Sequence, residues 1–407
     1  MQFKLLQFYK CLSTFSTALI MNFVPLIIYE YGIIKWSTSF SMALAFGFLA
    51  LSHLLVALFG WVLRKQLFKR PQVFLSLRII PIIAMLVSVA FLYMNSIIII
   101  ICVAIFSAFN FVFSNIPQDA IYNFVSVDKN SKALGVTKFM MQVGYILAGI
   151  VGGLFLDKIN ETFVVIISLC LYVISALPLL VYYIKNRNKK GFNTESIATI
   201  VQLYENNDKT KTENVRKNLL KQNFLTYLLL GVTDQLYDFF SIIFFIKTGS
   251  YFLSGLILGI YDTLYAVMCL YAGYVLQKRD CKWLSFVCII AMSIVWLPIL
   301  IVNNVWVISI LFLSNALVQP FFNLYIMQMF LDKSRILGVS NNQLLDMNNA
   351  CFCSYSFCEG FGLLGSFVPS VIASVVIAFI GAFYMIKAEK QTTKDLVTFL
   401  NQNEIVN

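Results

Sequence analysis

Four aspartates stand inside runs of apolar residues: Asp234 and Asp238 between Leu228 and Ile246, Asp262 between Leu258 and Met268, and Asp346 ahead of Cys351. An ionisable group in such a setting is a functional candidate by default. Desolvation and mutual repulsion work against its charged form, which is what a group that loads and releases a proton requires. Asp238, Asp262 and Asp346 are therefore expected proton-coupling positions. Recognition of a cationic solute, sodium coordination and plain hydrogen bonding are the other uses such acids could have. Glu30 and Glu359 fall at expected outer helix ends and Asp119 just past an inner one, in reach of water. The same runs carry amides at helical spacing. Asn315, Gln319 and Asn323 recur every four residues and so share a face. Asn22, Asn110 and Asp234 sit in comparable polar stripes, with Ser13 and Thr17, Ser107 and Ser114, and Ser241 as companions. These six residues are the expected solute-binding set, although interhelical hydrogen bonding would use amides in the same way.

Other chemistry finds little to work with. His53 is the single histidine, without Cys or His neighbours at ligand spacing, and reads as a satisfied helix residue; no metal site and no cofactor are expected. The nine cysteines include no C-x-x-C pair and read as small apolar packers. There is no H-E-x-x-H cluster and no G-x-x-x-x-G-K-[ST] loop, so a membrane-embedded enzyme is disfavoured and a gradient, rather than bound nucleotide, is the expected energy source.

The elements that position these groups follow from composition. Apolar residues make up 60% of the chain and charged ones 12%, which suits lipid as solvent. A bilayer core is crossed by about 20 apolar residues as helix, because backbone groups there must be satisfied within the segment. Six spans are predicted at 8–31, 37–63, 72–94, 96–117, 133–156 and 162–184, and six more at 222–247, 251–276, 283–302, 305–331, 336–358 and 361–386. The first run is long enough to remain as a helix rather than a cleaved signal. The fold class is thus an all-α membrane protein of about twelve transmembrane helices in two parallel six-helix halves. Its expected divisions are 1–184, a central loop at 185–221, 222–386 and a tail at 387–407. Within that loop Ile197, Ile200, Val201 and Tyr204 share a face suited to the membrane surface.

The net charge of +11 is distributed by topology and does not call for nucleic acid. Lys4, Lys10, Arg64, Lys65, Lys69, Lys129, Lys189, Lys278, Arg279, Lys333 and Lys387 all fall on segments of one side, while the other side keeps Lys35, Lys158 and Lys247. The positive-inside rule then places both termini in the cytoplasm of a multi-pass cell-membrane protein.

The halves repeat. Aligning Ser37–Lys65 with Ser250–Lys278 sets Gly60-Trp-Val-Leu on Gly273-Tyr-Val-Leu, and Ser131–Thr137 aligns with Ser334–Ser340 around a shared Leu-Gly-Val. Two matches in the same order argue for a duplicated six-helix unit, with a solute site expected between the copies.

This organisation resembles the major facilitator superfamily of secondary transporters. Gly60–Lys69, reading G-W-V-L-R-K-Q-L-F-K, is similar to that family's loop pattern G-x-x-x-D-R-x-G-R-R, with Arg64 in place of the acid and Leu67 in place of the second glycine. Gly144–Gly153, reading G-Y-I-L-A-G-I-V-G-G, resembles the G-x-x-x-G-P-x-x-G-G run of its drug and metabolite antiporters, with Gly144, Ala148, Gly149, Gly152 and Gly153 as the packing residues. The resemblance implies alternating-access transport of a small solute, proton coupling and efflux. A receptor or partner-binding protein on a transporter fold is the alternative.

The topology is tested by single cysteines introduced at Lys65, Lys189 and Lys278 in a background cleared of exposed native thiols. An impermeant thiol reagent added outside intact cells should leave all three unlabelled and should label them after permeabilisation; labelling of 65 or 278 from outside would reverse the arrangement.

Overall fold

The computed structural model describes residues 2–69, 101–109, 130–159, 161–186, 224–229, 231–278, 282–336 and 342–404, with positions 83, 218, 221 and 222. The expected third span at 72–94, apart from position 83, most of the central loop with its surface-helix residues, and Asn110, Ser114 and Asp119 lie outside the described residues. The helices are α1 (Gln2–Met21), α2 (Val24–Lys35), α3 (Thr38–Lys69), α4 (101–109), α5 (Asn130–Lys158), α6 (Glu161–Asn186), α7 (Val232–Thr248), α8 (Tyr251–Lys278), α9 (Lys282–Trp296), α10 (Val305–Ile336), α11 (Asn342–Gly360) and α12 (Phe367–Glu404). No strand occurs among the described residues, and seven helical stretches there are long and apolar enough to cross a bilayer. The protein is an all-α membrane protein.

Several boundaries differ from those the sequence suggests, each for a backbone reason. The first span is not one helix: α1 stops at Met21, Asn22 and Phe23 form a turn, and α2 restarts with Pro25 in its first turn. A proline ring clashes with the carbonyl four residues back and offers no N–H, so Pro25 is stable at a helix start and not within a continuous helix. The ninth span likewise ends at Trp296 and continues as a 3₁₀ turn at Pro298–Leu300. α11 runs on past the expected end at 358 into a 3₁₀ turn at Phe361–Leu364, and α12 absorbs most of the tail expected at 387–407. Gly249 closes α7 with a φ of 64°, a left-handed cap that lets the chain reverse directly into α8.

Packing reproduces the duplication. In the first half α1 lies along α5 and α6; in the second, α7 lies along α12, the counterpart of the α1–α6 pairing. Ser16 and Ser168 clasp α1 to α6 reciprocally, each hydroxyl donating to the other's carbonyl at 2.9 and 2.8 Å. The halves meet at two seams, α3 against α11 and α5 against α8, each pairing the second span of one half with the fifth of the other. α6, α9 and α12 turn apolar stripes outward, as Val173, Ile174 and Leu177 do on α6 and Ile372, Val376, Ile380 and Phe383 on α12. Such exposed apolar faces suit contact with lipid.

The α5–α8 seam depends on missing side chains. A methyl group on Gly149 would lie 2.7 Å from the Gly255 carbonyl oxygen, and one on Gly153 would lie 2.9 Å from that of Tyr251. Gly135 meets the Cys269 carbonyl at 2.7 Å in the same sense. Gly144 and Gly152 point elsewhere, onto Cys11 and Phe23 of the first span, and Ala148 is buried beside Ala18 and Leu19. The small-residue run therefore presents two faces: one lets α1 approach, the other lets the second half approach. At one end of the seam Asp157 of α5 accepts from the Phe252 N–H at 3.0 Å and from Ser250 Oγ at 3.3 Å, capping α8 from the opposite half.

Gly149→Val should lower thermal stability in detergent by about 1–3 kcal/mol, the usual cost of overpacking. Gly360→Ala meets nothing within 4 Å and has a helical backbone. It should be neutral or stabilise by up to about 1 kcal/mol. Equal melting temperatures for Gly149→Val and the native chain would show that the seam is not close-packed there.

Candidate functional site

Where the two seams approach α7, titratable and aromatic side chains converge. His53 lies near the middle of the apolar stretch Thr38–Val62 of α3 and is 2% exposed. Its Nδ1 is 2.9 and 2.8 Å from the two carboxylate oxygens of Glu359 on α11, which is fully buried. One expectation is overturned: Glu359, one residue before the end of α11, is out of reach of water because it packs across the seam against α3. His53 is a satisfied helix residue, as its sequence setting suggests, and its partner is an acid from the other half. Phe352 stacks on the imidazole at 5.4 Å between centroids and Tyr355 meets it edge-on at 5.2 Å. Ser356 donates to the Ala50 carbonyl at 2.8 Å and so fixes how α3 and α11 register. Asp238 completes the group from α7: one ligand atom each of His53, Asp238 and Glu359 lie within 4.8 Å of one another.

One residue earlier on α7, the Tyr237 hydroxyl donates to Asp262 of α8 at 2.8 Å. Asp262 is 1% exposed and has no cationic partner among the described residues. The Tyr237 ring also contacts Tyr145 of α5 at 6.2 Å, Tyr261 at 5.3 Å and Phe312 at 6.0 Å, so α7 links both acids to both halves. Ser241 folds back to the Asp238 carbonyl at 2.8 Å.

The amide stripe of α10 faces α8. Tyr261 donates to Gln319, and Asn323 donates to Tyr265 at 2.9 Å. Asn315, 5% exposed, has no partner for its Oδ1 among the described residues, and Asn22 at the break in the first span is 2% exposed with its Nδ2 likewise unpartnered. Buried polar atoms are normally satisfied, so two orphans point to a missing partner. Pro320 lies inside α10 and cannot donate to the Ala316 carbonyl one turn back, which adds a free acceptor beside the stripe. Thr17 instead bonds the Ser13 carbonyl at 3.0 Å within its own helix. Lys10, counted with the basic inward side, is 3% exposed within α1. Asp234 falls one turn before Asp238 on α7, and Asp346 near the start of α11, far along that helix from Glu359; their side chains, like Asn110, lie outside the described residues.

Sequence named His53 and Glu359 but discounted both, and it did not single out Tyr237 or Tyr261. His53 and Glu359 are ionisable residues within or next to apolar runs, and a span end placed at 358, two residues before α11 stops, put Glu359 in water. The tyrosines are lost among 20 tyrosines and 38 phenylalanines.

The arrangement sets polar amides beside aromatic faces and gathers two acidic clusters around α7, one with His53 and one with Tyr237, with no nucleophile placed against an acid–base pair among the described residues. The fold matches the xylose transporter XylE from E. coli in a partially occluded inward-open conformation, with a TM-score of 0.69 and 14% identity, covering 95% of this chain and 96% of that one. It also matches the human organic anion transporter TETRAN, with a TM-score of 0.59 and 9% identity, covering 94% and 98%. No curated protein sequence matches the chain significantly. The family model described as Major Facilitator Superfamily matches residues 6–342, and with two six-helix halves joined at paired seams the chain belongs to that family.

Proposed function

We propose that this protein is a proton-coupled secondary transporter that moves a small solute by alternating access of its two halves, with efflux as its direction. The observation that carries this reading is Asp262, an acid 1% exposed on the seam-forming helix α8 and held by a phenol instead of a cation. A fixed structural charge in lipid needs an opposite charge beside it; an acid that exchanges a proton does not. Asp238 is the second carrier, within reach of His53 and Glu359, and Asp346 a third at the start of α11. The resemblance of Gly144–Gly153 to the antiporter run favours exchange of proton for solute.

Solute recognition is assigned to Asn22, Asn315, Gln319 and Asn323, with Asn110 and Asp234 on the adjoining spans. Asn22 offers a donor and Asn315 an acceptor, and Phe312 on the same helix as Asn315 packs against the Tyr237 and Tyr261 rings of α7 and α8. The fitting solute is compact, with a donor, an acceptor and an apolar or aromatic body.

A thermal-shift screen identifies such a solute, and proteoliposomes with an imposed pH gradient then test coupling. Asp262→Asn keeps shape and hydrogen bonding but removes the titration, so gradient-driven flux should fall by about tenfold or more while solute exchange and binding persist. Flux that still follows the gradient in both Asp262→Asn and Asp238→Asn would show that these acids do not carry the proton. A protein that binds the solute yet never moves it would be the receptor alternative.

Gln319→Leu, made together with Tyr261→Phe so that no hydroxyl is orphaned, should weaken solute binding with little loss of stability. Leaving Tyr261 in place would add about 1–3 kcal/mol of unrelated destabilisation. Unchanged transport after Leu replacement at 315, 319 and 323 would reduce the stripe to glue between α8 and α10.

A further inference from the structure

We infer that His53, Glu359 and Asp238 form a binding site for a divalent first-row transition-metal cation, set across the α3–α11 seam. The donor set is one imidazole nitrogen and two carboxylates, gathered from three helices and both halves. Imidazole suits zinc, iron, nickel and copper, whereas magnesium and calcium prefer all-oxygen shells. Zinc bonds to nitrogen and oxygen are about 2.0–2.2 Å, so donors sharing an ion stand about 3–3.5 Å apart when adjacent. Glu359 presents both oxygens to Nδ1 at 2.8 and 2.9 Å, close to that separation, and the Asp238 donor lies within 4.8 Å of both.

The site is built rather than incidental. The imidazole packs against the Phe352–Tyr355 pair, and Ser356 bonded to Ala50 holds the backbones that carry His53 and Glu359 in register. A metal site needs ligands fixed in this way by their surroundings. Charge points the same way. One imidazole neutralises at most one carboxylate, and two surround it; a divalent ion balances both. Metal entry takes the place of any proton held on the imidazole and the carboxylates, and that proton leaves to water. Because the ligands come from both halves, the bound ion also favours the conformation in which α3 and α11 are together.

The site shares Asp238 with the transport reading but is tested apart from it, since binding is measured on purified protein that need not transport. The full chain in detergent, stripped with chelator, is titrated with Co²⁺ and Zn²⁺ and followed by absorption and calorimetry. One Co²⁺ per chain is expected, with weak visible d–d bands and no intense ultraviolet thiolate band, displaced by Zn²⁺ and not by a large excess of Mg²⁺. Calorimetry in buffers of different protonation enthalpy should show proton release, and Zn²⁺ should raise the melting temperature. His53→Ala and Asp238→Asn should each weaken Co²⁺ binding at least tenfold. Glu359→Gln should do the same if it folds, and the native spectrum decides if it does not. A thiolate band would move the ion to the cysteines and overturn the proposal, as would absence of saturable binding or native affinity in folded His53→Ala.

Discussion

Lipid exerts no hydrophobic pressure between two apolar helices, so the molecule holds together only where backbones come very close or polar groups meet across a seam. Everything distinctive about this chain is arranged around that constraint. The α5–α8 seam uses close approach, with Gly149 and Gly153 set against the carbonyls of Gly255 and Tyr251. The α3–α11 seam combines the two means: Gly362 admits the Phe46 ring, Gly60 admits the Asn349 amide, and His53 meets Glu359 between them.

The two seams are equivalent by symmetry but not by chemistry. At its glycine contacts the α5–α8 seam stabilises through dispersion, with no charged group between the backbones, so it can act as a bearing surface. The His53–Glu359 seam contains a pair whose hold depends on charge state, in a medium where an uncompensated charge is costly. A structure that alternates between two arrangements needs one interface that tolerates sliding and one whose free energy responds to a ligand or proton. Divergence of the two halves has put these properties on opposite sides of the same fold.

α7 connects the parts. Tyr237 and Asp238 are neighbours in sequence, yet one faces Asp262 and the Tyr261 ring while the other faces His53 and Glu359. A rotation or shift of this helix changes both environments together. The break at Asn22–Phe23 and the proline within α10 add unpaired backbone and amide groups on helices around the same region, as expected where a membrane protein must bind something polar.

By itself the sequence determined the class, the duplication, most spans and the positions of Asp238, Asp262 and the α10 stripe. All of these follow from periodicity and from the energetic oddity of polar residues in apolar runs, which are local properties. It also carried the break in the first span, in Pro25, though a hydropathy average passes over a single proline. What it left open was pairing. His53 and Glu359 are 306 residues apart. Nothing local to either shows that they share a seam, so a lone histidine read as satisfied within its own helix and a glutamate one residue past a span read as wet. The same holds for Tyr237 with Asp262 and for Gln319 with Tyr261. Burial in lipid makes each polar group seek a partner, but only the packing of the two halves decides which partner it finds.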